Sequence, residues 1–124
     1  MPNQKYLGYC VLSLKRRDCG DLAKLHEDEQ TDFFLLVRKL EDAFRQAFGA
    51  TMFNWSCLMN LAYRNDPPNP HVHWHCRPRY THTVQFAGTE FADDEFGSHY
   101  ELKPAREVDV TTRQLIVEEI KKHL

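Results

Sequence analysis

Apolar and polar residues are distributed along the chain in a way that marks its elements. Tyr6 to Leu14 is apolar with β-branched and aromatic members, then turns basic at Lys15-Arg16-Arg17 and breaks at Asp18-Cys19-Gly20-Asp21, which predicts a strand and its exit loop. Leu22 to Leu25 fits a short helical turn, and Glu27-Asp28-Glu29 puts acid where the positive end of a following helix favours it. From Thr31 to Phe48, Phe33, Leu36, Val37, Leu40, Ala43, Phe44 and Ala47 recur at helical spacing, and Gly49 follows as a C-terminal stop. Thr51 to Leu61 alternates: Phe53, Trp55, Cys57 and Met59 form an apolar face, and Asn54, Ser56, Leu58 and Asn60 the other. Tyr63 to Pro70 has the chemistry of a loop.

The next stretch, Pro70-His71-Val72-His73-Trp74-His75-Cys76-Arg77-Pro78-Arg79, carries three histidines at alternate positions. Alternate side chains of a strand leave the same face, so His71, His73 and His75 form one imidazole row while Val72, Trp74 and Cys76 point back into the core. Pro70 and Pro78 are expected to bracket the pairing segment. Tyr80 to Phe86 predicts a further strand, Gly88 to Gly97 is acidic and irregular, and Thr111 with Gln114 reads as a capping box ahead of Leu115, Ile116, Ile120 and Leu124. The expectation is one α+β domain over residues 1–124: an antiparallel sheet with the histidine strand central, one long helix packed on it and a C-terminal helix.

Composition narrows the functional classes. At 124 residues and 42% hydrophobic content the chain can bury a core. No run approaches a membrane span, and the start of the chain lacks the pattern of a signal peptide, so a cytoplasmic location is expected. A formal net charge of -2 argues against general nucleic-acid binding. Cys10, Cys19, Cys57 and Cys76 have no CxxC spacing and are expected to be buried thiols.

The histidine row admits more than one chemistry. Neutral imidazole is a common metal ligand, and His82, His99 or Asp93 can complete a zinc site, although no spacing identifies such a ligand. Imidazole is also a nucleophile toward phosphorus near neutral pH when one ring nitrogen is held and the other is free, with neighbouring imidazoles and an amide such as Asn60 bonding phosphoryl oxygens. Arg77 and Arg79 alternate like the histidines and read equally as a bidentate clamp on a polyphosphate or, exposed at the strand end, as solubilising charges. Lys15-Arg16-Arg17 and Asp93-Asp94-Glu95 read as solvated loop charges.

The segment His71-Val72-His73-Trp74-His75-Cys76, followed by Pro78-Arg79, resembles the motif of the histidine triad superfamily of nucleotidyl hydrolases and transferases. Asn60 stands where that family commonly has an asparagine, Gly8 to Arg16 resembles its strand ending in a basic pair, and the resemblance covers residues 7 to 80. It implies that His73 attacks the α-phosphorus to form a nucleotidyl-histidine, with His71 and His75 in support, Asn60 and Arg79 binding substrate, no cofactor or metal, and a homodimer. The partner would be a nucleotide or related phosphate. The alternative is a metal-binding or nucleotide-binding module without substantial catalysis. Asp66-Pro67-Pro68 replaces the family's Gly-Gln-Ser/Thr segment, Tyr9 stands in place of a histidine, and Arg77 in place of an apolar residue. Residues 1 to 7 leave no room for the strand whose acidic residue meets the ribose.

Overall fold

A computed structural model describes residues 1–124. The elements are β1 (Cys10–Ser13), α1 (Glu27–Phe48), β2 (Met52–Ser56), β3 (His73–Arg79), β4 (Val84–Phe86), β5 (Thr89–Phe91) and α2 (Val110–Lys121), with single 3-10 turns at Leu22–Lys24 and Ala62–Arg64. The main sheet is antiparallel in the order β1-β3-β2, so the histidine strand is central. Its registers run from Cys10↔Cys76 to Ser13↔His73 on one side and from Met52↔Arg79 to Ser56↔His75 on the other. The α+β expectation holds.

Helix α1 begins four residues earlier than its apolar period suggests, because the acids at Glu27, Asp28 and Glu29 form its first turn rather than precede it. Glu29 reaches back to the backbone N–H of His26 (2.9 Å). It also pairs with Arg16, 2.6 Å from Nε, and this cation and the His26 N–H hold its carboxyl down to about 2. Arg16 of the basic run therefore ties the β1 exit to the helix start. Gly49, at φ 69, closes the helix.

One face of α1 packs on the sheet in two clusters. Phe44 and Phe48 meet Leu7, Ala50, Cys76, Tyr80, Phe91 and Ile116. Closer to the helix start, Phe33 stacks on Trp74 at 4.2 Å, over Cys19 and Val72. Burying a side chain of this size stabilises the fold by about 1.5–3 kcal/mol. Leu36 departs from the expected stripe and is 47% exposed.

Several expected boundaries shift. The two strands flanking β3 are shorter than their apolar runs: β1 pairs only through Cys10–Ser13 and β2 only through Met52–Ser56. Pro78 lies inside β3, paired with Phe53, rather than ending it. Pairing with β1 has already stopped at Cys76, so on that side no donor is required of Pro78. The segment Gly88–Gly97 holds β5, which pairs with β4 across a two-residue turn at Ala87–Gly88. Helix α2 is capped by Asp109, which accepts from the N–H of Thr112 at 2.6 Å. Thr111 lies inside that helix, and Gln114 bonds Glu118. No helix is long and apolar enough to cross a membrane.

Candidate active site

The alternation along β3 separates two environments. Val72 and Cys76 are fully buried and Trp74 nearly so on the α1 side, whereas His71, His73 and His75 are half-buried on the opposite face. His71 stands just before the strand, held there by Val72: its N–H donates to Cys19 O (2.8 Å), and its carbonyl accepts from Leu14 N–H (3.1 Å).

Each imidazole has a different partner, which determines what it presents. His71 Nε2 is 2.7 Å from the carbonyl of Leu14. A carbonyl only accepts, so that nitrogen carries the proton and Nδ1 does not in the neutral ring. His73 Nδ1 is 2.8 Å from the carbonyl of His71 and donates to it. Its Nε2 is consequently the lone-pair nitrogen. His75 Nδ1 lies 2.6 Å from the hydroxyl of Tyr9, with the two rings stacked at 5.8 Å. The His73 and His75 rings meet edge to face at 5.1 Å.

Tyr9 is placed by Gly8. That glycine has φ +90, and a Cβ there would lie 2.8 Å from the Phe44 ring, so the turn before β1 can pass over α1 only with no side chain at this position. Arg77, next along the histidine face, is 4% exposed. Its guanidinium lies over the Tyr9 ring at 4.6 Å and the Tyr100 ring at 4.1 Å, and donates at 3.3 Å to the hydroxyls of Tyr9 and Ser56. His75 has a pKa below the ordinary histidine value, first through burial and then through Arg77 and His73. Burial also raises that of the Tyr9 phenol, which stays protonated at neutral pH.

Two residues expected to bind substrate are placed differently from the histidines. Arg79 is 1% exposed rather than free at the strand end. All five of its N–H groups are engaged: Nε and Nη2 on Asp93, Nη1 on Asn54 and Ser98 O, and Nη2 also on Glu95 O. No donor remains for a phosphate, which corrects its expected role. Asp93, expected to be solvated, is the buried partner of this clasp, at 2.6 Å. Asn60 lies exposed in the turn after β2, beyond the end of the ladder at Ser56↔His75, so strand pairing does not hold it beside the row.

The groups considered for a metal do not gather. His82 lies against Gly49, and His99 bonds its neighbour Tyr100. No three His, Cys, Asp or Glu side chains converge as metal ligands would. A hollow of about 450 Å³ lies behind the histidine strand between β1 and α1, with Leu12, Phe33, Leu36 and Trp74 in its walls. Sequence reasoning assigned no role to Tyr9 or Ser56. The signal for Tyr9 was its position after a glycine where the resembled family has a histidine; Ser56 had only its place on the polar face of β2.

No protein-family model matches the chain, and neither does any curated protein. Solved structures do. A histidine triad protein from Sinorhizobium meliloti superposes over 100% of this chain and 79% of its own, with a TM-score of 0.76 at 15% identity. The fold is the histidine triad fold. A histidine triad protein from Bradyrhizobium japonicum gives 0.68 at 17% identity, covering 99% of this chain and 79% of its own. The histidine triad fold thus accounts for the arrangement described above, with the alternating row on its central strand and the long helix behind it.

Proposed function

We propose that this protein is a hydrolase or transferase of nucleoside phosphates that works through a covalent nucleotidyl-histidine on His73. The observation that carries the reading is the 2.8 Å bond from His73 Nδ1 to the His71 carbonyl. In the neutral ring it leaves Nε2 with the lone pair, the state a nucleophile needs. Nε2 forms a bond to the α-phosphorus, the bond from phosphorus to the leaving group breaks with its electron pair, and the ring becomes cationic. The Nδ1–H bond to the carbonyl strengthens as that charge develops. Water, or an acceptor in a transferase, then attacks phosphorus and restores the neutral ring. His71 supports the reacting ring through its carbonyl, which holds the His73 Nδ1–H, and His75 flanks the reacting centre to stabilise charge on the phosphoryl oxygens.

The substrate side is a nucleotide or a related phosphate ester or phosphoramidate. Asn60 is assigned a contact to a substrate hydroxyl or phosphoryl oxygen from the exposed turn. A cytoplasmic homodimer completes the reading. A nucleotide-binding module without substantial turnover is the second reading, favoured by Asp66-Pro67-Pro68, where two prolines supply no backbone N–H to a phosphate.

The test is to trap the intermediate. Protein mixed with a nucleoside phosphoramidate or a dinucleoside polyphosphate labelled at the α-phosphorus, then quenched in base, should retain label that acid removes. His73→Ala should retain none. Absence of label from the parent protein during measurable turnover would remove the covalent route, while binding without turnover would select the second reading. The route uses imidazole alone, so turnover should survive EDTA.

A further inference from the structure

His75 differs from its two neighbours in the row: its ring is held by a side chain rather than by a backbone carbonyl. The hydroxyl of Tyr9 and this nitrogen, 2.6 Å apart, can each be written as the donor. Arg77 removes the ambiguity. A guanidinium only donates, and Arg77 Nη2 gives a proton to the same phenolic oxygen at 3.3 Å. If the oxygen also accepted from His75, the phenol's own proton would have no acceptor, in a side chain 8% exposed. The proton of Tyr9 therefore goes to His75 Nδ1, and the single proton of the neutral imidazole stays on Nε2.

We infer that Arg77 and Tyr9 form a hydrogen-bond relay that locks His75 as the neutral Nε2–H tautomer, which makes both of them positioning residues for a donor to the substrate's phosphoryl oxygens. This rests on the row being a phosphoryl-transfer site. The charges around His75 act in the same sense as the relay. His73 and Arg77 adjoin it on β3, Tyr9 faces it from the turn before β1, Ser56 is its register partner on β2, and Tyr100 lies behind Arg77 from the segment before α2. Arg77 brings the only fixed charge among them and has no carboxylate partner; its hydrogen bonds go to hydroxyls, and its guanidinium lies over two tyrosine rings. An imidazolium at His75 would meet that cation and lose the Tyr9 bond. Burial and Arg77 lower the pKa of His75 accordingly.

The experiment is ¹⁵N NMR of the histidine rings in the ligand-free protein, where protonated and unprotonated ring nitrogens resonate far apart, joined to pH–rate profiles of three variants. The parent should show His75 with its proton on Nε2. Tyr9→Phe keeps the ring and removes the hydroxyl, so both tautomers should appear, and kcat should fall about tenfold with little change in KM, the low end for loss of an orienting partner. Arg77→Met should raise the His75 pKa and move the acid limb of kcat/KM to higher pH, while Arg77→Lys, which keeps the charge, should restore most of that shift. A parent His75 protonated on Nδ1, or a Tyr9→Phe protein with an unchanged tautomer, would overturn the relay. If Arg77→Met does not fold, Tyr9→Phe decides alone. The tautomer is read without substrate, so it stands or falls separately from the nucleotidyl-histidine; His73→Ala tests only the latter.

Discussion

The Nδ1 atom of His73 donates to the carbonyl of His71, the residue two positions before it in the same row. The His73 ring and the carbonyl that orients it therefore lie two residues apart on one continuous segment, and any change that keeps this backbone keeps the tautomer. His73→Ala should leave the melting temperature close to that of the parent, since the ring is half-buried on the site face and packs against no core cluster. Turnover should fall by more than about 10³-fold, as expected when a covalent nucleophile is removed. Steady-state rates and melting curves on the same preparation check both halves, and turnover retained within about tenfold would rule out His73 as the nucleophile.

Acid should weaken the fold through His75. Its pKa lies below the ordinary 6.5. In the unfolded chain the ring takes up a proton as pH falls through that value, while in the folded protein it does not, so protons favour unfolding. The stability contributed by neutral His75 is complete above pH 6.5 and is lost as pH falls toward the lower folded value. In denaturant titrations at several pH values, the parent should lose stability relative to His75→Gln across this window. A constant gap between the two proteins would contradict the shift.

The buried Arg79–Asp93 pair gives the largest stability effect. Asp93→Ala leaves a guanidinium at 1% exposure without its carboxylate. Breaking one side of such a pair costs about 3–5 kcal/mol. For a domain of this size the melting temperature should drop by roughly 10–20 °C. Arg79→Lys should also destabilise, because an ammonium cannot reproduce five donors in a planar fork. Thermal melts of the two variants suffice, and a parent-like Asp93→Ala would remove the clasp from the account of stability.

Met59 and Asn60 test the end of the alternating run after β2. Met59 is half-buried against the Cys19, Val72 and Trp74 cluster, whereas Asn60 is exposed. Met59→Asp sets a charge against that cluster and should destabilise the protein. Asn60→Asp should melt like the parent yet slow turnover more than Asn60→Ala does, because it opposes an anionic substrate. If Asn60→Ala turns over normally, the amide has no part in the site.

What could be read from the sequence follows from how local each signal is. Period-two alternation put His71, His73 and His75 on one face and Val72, Trp74 and Cys76 on the other without reference to any partner strand. The long helix was readable for the same reason. Arg79 was misplaced because burial of a charge depends on Asp93, Glu95 and Ser98, which arrive from a later segment whose composition resembles a solvated loop. The short strand Thr89–Phe91 gave no period to detect. Tyr9 and Arg77 are 68 positions apart, and only the pairing of β1 with β3 makes them neighbours.

The clasp on Arg79 also sets where the chain can be shortened. Every side chain bonded to the histidine row or to the Tyr9–Arg77 relay lies ahead of β4, except Tyr100, which suggests a compact fragment ending near β5. Such a fragment would keep Arg79 and discard Asp93, Glu95 and Ser98 together. The amide of Tyr80, which also donates to Asp93, would lose its acceptor. The tail beyond β5 is thus the counterion of the central strand, and a minimal version of this protein has to carry it or replace Arg79 first.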